Sequence, residues 1–232
     1  MNKFITLEKS VQGASHKSKT PPVVCQDKCM VRKIDDETYI LAVADGHGSE
    51  RCRFSDIGAE LAVRTFCEMM EEVLENCEKT SNGDRDTFIR KIRTYDDGRI
   101  IKTIHKIWKK RIEKSFNVIK HEHDDLKDID VVDTELYGTT LIGIVMAKDF
   151  VYCIQIGDGD IAYVDSFGVK QVIEADKFLG TETYSLSNEK PWENVITFFQ
   201  RRKIDESAPY LFILTTDGFS KSFLDDEQYH VT

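Results

Sequence analysis

The stretch from Thr139 to Glu174 constrains the fold most. Residues 139–147, 150–156, 161–165 and 169–174 are rich in Ile, Val, Phe and Tyr and read as four strands. Their connections are short: Lys148-Asp149, then Gly157-Asp158-Gly159-Asp160, then Ser166-Phe167-Gly168. A parallel crossover needs a dozen or more residues, so these turns force neighbouring strands to run antiparallel. The spacing predicts an antiparallel meander. Two earlier segments, 29–35 and 38–44, read as strands joined at Asp35-Asp36-Glu37, and residues 210–215 form one more apolar strand.

Between these strand regions the period becomes helical. Ala59, Ala62, Val63, Phe66, Cys67, Met70, Val73, Leu74 and Cys77 recur at the three-then-four spacing of a buried stripe. That helix is predicted to end near Ser81-Asn82-Gly83. A second begins near Asp86 and breaks at Asp96-Asp97-Gly98. It resumes with Ile100, Ile101, Ile104, Ile107, Trp108, Ile112, Phe116 and Ile119. Both stripes read as core. The first 25 residues, with Gly13, Ser15, Ser18, Pro21 and Pro22, read as strand followed by loop. A less regular region, 176–208, is predicted to hold a helix near 191–202, and residues 222–227 read as a helix start. Strands, then helices, then strands predict an α+β layered domain, and no linker is long enough to divide it.

Charge and composition narrow the function classes. The 232 residues carry a formal net charge of -9, which repels phosphate backbones, so no nucleic-acid partner is expected. The acidity fits a solvated surface as well as a metal-carboxylate site. The six cysteines show no paired spacing: Cys67 and Cys77 fall on the helical stripe as reduced core thiols, and Cys25 and Cys29 lack a second Cys/His pair to complete a zinc site. No apolar run approaches membrane-spanning length, and the N-terminus lacks the apolar core of a signal peptide. The expected address is the cytoplasm, with no membrane partner. The run His121-Glu122-His123-Asp124-Asp125 could bind a metal, but at a helix end it reads better as a solvated loop.

Acids recur at strand ends. Residues 39–44 lead into Asp45-Gly46, 150–156 into Gly157-Asp158, and 210–216 into Asp217-Gly218, while Asp27 sits in Val24-Cys25-Gln26-Asp27 just before the strand at 29–35. Each alone reads as a turn, because Gly supplies positive φ and Asp bonds nearby backbone. Together, acids at the ends of neighbouring strands can gather at one sheet edge. An all-oxygen donor set suits Mg²⁺ and Mn²⁺. Two such ions about 3.5–4 Å apart can share a hydroxide and direct it at phosphorus. Asp45, beside a glycine whose carbonyl is unobstructed, is the best candidate for the bridging carboxylate. His47 is either an acid–base group or an exposed turn histidine, and Gly48 serves the turn.

At this point the residues resemble a known family. In order along the chain stand Gly13-x-Ser15-His16 with Cys25-Gln26-Asp27, Val43-Ala44-Asp45-Gly46-His47-Gly48, Gly138-Thr139-Thr140, Ile156-Gly157-Asp158 and Leu214-Thr215-Thr216-Asp217-Gly218. The set resembles the metal-dependent serine/threonine protein phosphatases of type 2C, and its opening motif and Trp-containing second helix look like the bacterial branch. The resemblance implies a four-layer α-β-β-α sandwich of two antiparallel sheets, with residues 1–232 forming a single phosphatase-like domain. It implies hydrolysis of phosphoserine and phosphothreonine in a protein substrate, with a cognate kinase as a further partner, by a hydroxide bridging two Mn²⁺ or Mg²⁺ ions. Carried over by position, Asp45 bridges the ions, the Gly46 carbonyl binds one, Asp217 binds the other, and Asp27 acts through a metal-bound water. His47 matches the general acid to the leaving oxygen. Glu135 matches an acid for a third, weaker ion, with Asp133 as its rival. Asp158 matches a turn-former outside the ligand set.

The sequence departs from the family pattern in two places. The family carries one more aspartate on a final strand, but this chain stops at Thr232, and Asp225 and Asp226 come too soon. The domain is therefore expected to lack its final strand or strands. Many members also place an arginine five residues before the acid matched to Asp27, where this chain has Pro22. Lys17 or Lys19 could supply that charge, or simply belong to a solvated loop. These departures keep a second reading open: a pseudophosphatase or phospho-dependent binding module with the same fold. A third is another two-metal phosphohydrolase acting on small phosphoesters.

Overall fold

The computed structural model describes residues 4–12, 24–95, 98–173, 183–201 and 210–222. The apolar stripe from Ala59 to Cys77 lies on helix α1 (Ser55–Ser81), 27 residues long. Asn82 and Gly83, with φ of 51° and 76°, end it in the left-handed region, where both residue types are tolerated. Helix α2 (Arg85–Thr94) starts on Asp84, whose carboxylate accepts the Thr87 N–H. Helix α3 (Arg99–Ile119) buries Ile100, Ile101, Ile104, Trp108, Ile112 and Phe116. The Trp108 Nε1–H donates to the Gly58 carbonyl at 3.0 Å, which joins α3 to α1.

The described strands are β1 (Lys28–Lys33), β2 (Thr38–Ala44), β3 (Leu141–Ala147), β4 (Phe150–Ile156), β5 (Asp160–Asp165), β6 (Gly168–Gln171), β7 (Ile196–Arg201) and β8 (Leu211–Thr215). The first sheet has the order β1-β2-β3-β4-β7 and the second β6-β5-β8, with every pairing antiparallel. Alternation along β3 explains the layering. Leu141, Val145 and Ala147 join the core under the helices, whereas Ile142, Ile144 and Met146 join Val151, Cys153 and Ile161 between the sheets. A strand that is apolar on both faces must be covered on both. The result is the α-β-β-α sandwich, two antiparallel sheets face to face and flanked by helices.

Several expectations are corrected. The four strands after Thr139 do not form one meander: β3 pairs with β4, but β5 pairs with β6 and β8. The chain changes sheets at residues 157–159, with Gly157 at φ 107°. Short turns fix strand direction but not sheet membership. Here the apolar faces of β4 and β5 stack rather than lie side by side. The helix expected near 191–202 is a 3₁₀ turn (Pro191–Glu193) followed by strand β7. Residues 4–12 form no strand. The run from His121 begins in a short 3₁₀ turn, Lys120–Glu122; beyond it His123 stacks edge-on against Phe54 and Asp125 pairs with Arg53. The helix start at 222–227 lies, beyond Ser222, outside the described residues, as do 174–182 and 202–209.

All six cysteines are free. Burial pushes the Cys67 thiol up to about 12, as a reduced core thiol requires. Among the described residues no helix is long and apolar enough to cross a membrane.

Candidate active site

The end of β2 is held from two sides. The Asp45 N–H donates to Thr140 Oγ1 at 2.9 Å, and the Asp45 carbonyl accepts from the Thr140 N–H and from Thr139 Oγ1, both at 2.9 Å. Gly46 then bridges Thr139. It is buried, and a Cβ there would fall 2.8 Å from the Ser55 carbonyl oxygen and 2.9 Å from Gln26 Cβ, so only glycine fits. On the other side Gln26 Nε2 donates to Ser55 Oγ at 2.7 Å, and Ser10 Oγ donates to the Asp27 carbonyl at 2.9 Å. The Gly138-Thr139-Thr140 and Gln26-Asp27 motifs therefore fix the backbone on which Asp45 and Asp27 stand.

Three of the four candidate acids meet: Asp45, Asp27 and Asp217. Asp45 is pushed up to about 9, first by burial, then by the negative charges of Asp27 and Asp217, with which it also shares hydrogen bonds. Asp27 reaches the site from before β1, and Asp217 from the second sheet, where it opens the short helix α4 (Asp217–Ser220). Like charges this close cannot all ionise without a counter-ion, and a proton is the alternative. The carboxyl groups bond one another directly. Among the described residues no group of three or more His, Cys, Asp or Glu side chains is spaced to hold a metal ion. The donors are nonetheless all oxygen, the chemistry that suits a hard divalent cation.

His47 follows at once. Its N–H donates to the Gly138 carbonyl at 3.0 Å, and its ring lies so near that a Cβ on Gly138 would come 2.7 Å from Cδ2. Burial lowers the imidazole pKa, against the upward pull of Asp158 and Asp217. Asp158 sits where the chain passes between sheets and accepts Thr183 Oγ1–H at 2.9 Å. As a sequence it reads only as a turn; its field on His47 arises from tertiary structure.

Glu135 stands apart from the three carboxylates. It is exposed and pairs with Arg51 at 3.8 Å. Asp133 caps the 3₁₀ turn Thr134–Tyr137 by accepting the Glu135 N–H. Gly13, Ser15, His16, Lys17, Lys19, Pro22, Asp225 and Asp226 lie outside the described residues.

One residue escaped the sequence reading. Lys221 Nζ donates to Asp217 Oδ2. Its ammonium is held above the usual lysine range, mainly by that bond and further by the charges of Asp217, Asp158 and Asp45. The only signal was the i,i+4 spacing from Asp217.

Comparisons with known proteins bear on the family and the fold. A profile of the family described as Protein phosphatase 2C matches residues 12–231. No curated protein matches the chain. Among solved structures, a bacterial serine phosphatase superposes with a TM-score of 0.52 at 14% identity, covering 87% of this chain and 76% of that one. The serine/threonine phosphatase of S. agalactiae gives 0.51 at 16% identity over 86% and 76%. Stp1 from Staphylococcus aureus gives 0.52 at 12% identity over 87% and 74%. At these identities the structures speak for the fold, while the profile covers almost the whole chain. The chain belongs to the protein phosphatase 2C family, the metal-dependent serine/threonine phosphatases.

Proposed function

We propose that this chain hydrolyses phosphoserine and phosphothreonine in proteins, using two divalent ions, Mn²⁺ or Mg²⁺, with a weaker third. The observation that carries the reading is the convergence of Asp27, Asp45 and Asp217 on one edge, with the pKa of Asp45 raised first by burial and then by the other two acids. A half-buried carboxylate set of this kind is relieved by cations as well as by protons. Asp45, Asp217, the Gly46 carbonyl and Asp27, the last through a water, are the groups that would hold the two ions. Glu135, with Arg51 beside it, takes the third ion. The chemistry such ions would supply when bound is a nucleophile from water at neutral pH and charge neutralisation on the phosphoryl oxygens.

The remaining roles belong to the chain itself. Thr139 and Thr140 fix the Asp45 backbone, so its carboxylate is positioned before substrate arrives. His47 protonates the departing serine or threonine oxygen, which leaves badly as an alkoxide. Burial lowers the pKa of that imidazole, and the charges of Asp158 and Asp217 pull partly back toward the protonated form that the role needs. A phosphoprotein substrate implies a kinase acting on the same target, in the cytoplasm where both would meet, and residues 1–232 act as one phosphatase domain.

The rival reading is a binding module with this fold and little catalysis. The bonds that Asp217 makes to Lys221 and Asp45 favour it, because the carboxylates already have internal partners. The deciding experiment incubates the protein with a phosphoserine peptide, free phosphoserine and an aryl phosphate, with Mn²⁺ or with chelator. The proposal expects Mn²⁺-dependent release of phosphate from the peptide well above that from free phosphoserine. Turnover that survives chelation sinks it. Peptide binding without any turnover supports the rival, and a preference for free phosphoserine supports a small-phosphoester enzyme.

A further inference from the structure

We propose that Lys221 is an internal counter-ion of the carboxylate site: its ammonium pairs with Asp217 and sets how tightly the site takes a divalent cation. The inference rests on the metal-centre reading above and adds a residue to it. Lys221 follows the last residue of α4, and its side chain turns back one helical turn to donate to Asp217 Oδ2. The two partners differ sharply in exposure, the lysine side chain at 71% and the aspartate at 20%. An ordinary surface i,i+4 pair joins two solvated groups and contributes little. Here the acid partner is shielded from water and already bonded to Asp45. The same ammonium also lies in the field of Asp158.

Two consequences follow from charge alone. A divalent ion seeking Asp217 must compete with the ammonium for the same carboxylate. A displaced Lys221 still leaves a positive charge beside the ions, which weakens their binding at any salt concentration that does not screen it fully. Lys221 thus acts on the cation through Asp217, as a positioning and affinity-setting residue. Its ammonium is a compact point charge on a flexible stem, suited to letting go.

Mn²⁺ titration calorimetry of the full chain at fixed pH and ionic strength tests this, on wild type, Lys221→Met, Lys221→Gln and Lys221→Arg. Both neutral variants are expected to bind Mn²⁺ about 3–10-fold more tightly than wild type, with the gap shrinking as salt rises. Lys221→Arg is expected to stay within about twofold of wild type. Circular dichroism melts of each variant check that it is folded, and two neutral variants guard against the loss of one. Wild-type binding that is unchanged or weakened in the neutral variants overturns the role of Lys221 and leaves the metal centre standing. No Mn²⁺ binding by any of the four chains overturns the metal centre and this inference together. Binding by the neutral variants alone supports both.

Discussion

The two sheets are buried to different depths, and the site spans the difference. Strands β3 and β4 are buried along their whole length, between the helices and the second sheet. In the second sheet β6 is mostly exposed and β8 half-buried. The well-buried half supplies Asp45, whose backbone is tied to Thr139 and Thr140. The shallower half supplies Asp217, tied to an exposed lysine. The group under the greatest electrostatic stress therefore stands on the firmer support, and the group that must exchange partners stands on the looser one. A site assembled this way keeps Asp45 fixed while Asp217 adjusts.

Stability should divide along the same line. Phe66 is fully buried on α1 with its ring over Gly143 of β3. Phe66→Ala is expected to cost about 3–5 kcal/mol through transfer and cavity terms. Leu214→Ala, half-buried on β8, is expected to cost about 1–2 kcal/mol. Urea unfolding of both measures the contrast, and equal losses would break it.

Catalysis should divide by leaving group. His47→Ala is expected to slow phosphoserine-peptide hydrolysis about 10²–10³-fold. An aryl phosphate, whose phenolate leaves without a proton, should slow far less. Equal losses on both substrates would remove His47 from the acid role and leave it a structural part of the Gly138 contact.

The contrast also bears on the pH dependence of the protein without divalent ions. Asp45 has a folded pKa raised from 3.8 to about 9. Its contribution to stability is fully present below the ordinary carboxylate value and is lost as pH rises toward 9. Asp45→Asn removes that loss. The ion-free variant should therefore melt above wild type at about pH 8, with the gap closing toward about pH 4. A gap that widens toward acid would contradict the stressed-carboxylate account.

Local patterns were legible where one period dominated. The stripe of α1 was readable because its apolar positions keep helical spacing, and β3 because short turns bracket an apolar run. Asp27, Asp45 and Asp217 were legible as acids at strand ends, and the family resemblance ordered them. What escaped depends on contacts that no local window holds. Strand β7 looked helical because a short apolar run does not reveal its period; the free edge of β4 decides it. The passage from one sheet to the other at Gly157 is set by stacking, not by turn length. Asp158 reads as a turn residue until the fold brings it to His47; Lys221 bonds Asp217 locally, but reads as an ordinary surface charge because only the fold half-buries its partner.

The central claim is that Asp45 keeps a proton only until divalent ions replace it. Mn²⁺ titration calorimetry at about pH 7.5, repeated in two buffers of different ionisation enthalpy, measures both the ions taken up and the protons released. The account predicts two ions per chain with roughly one proton released from wild type, and loss of both tight binding and proton release in Asp45→Asn. Mn²⁺ binding that proceeds unchanged in Asp45→Asn, or that releases no proton from wild type, would contradict it.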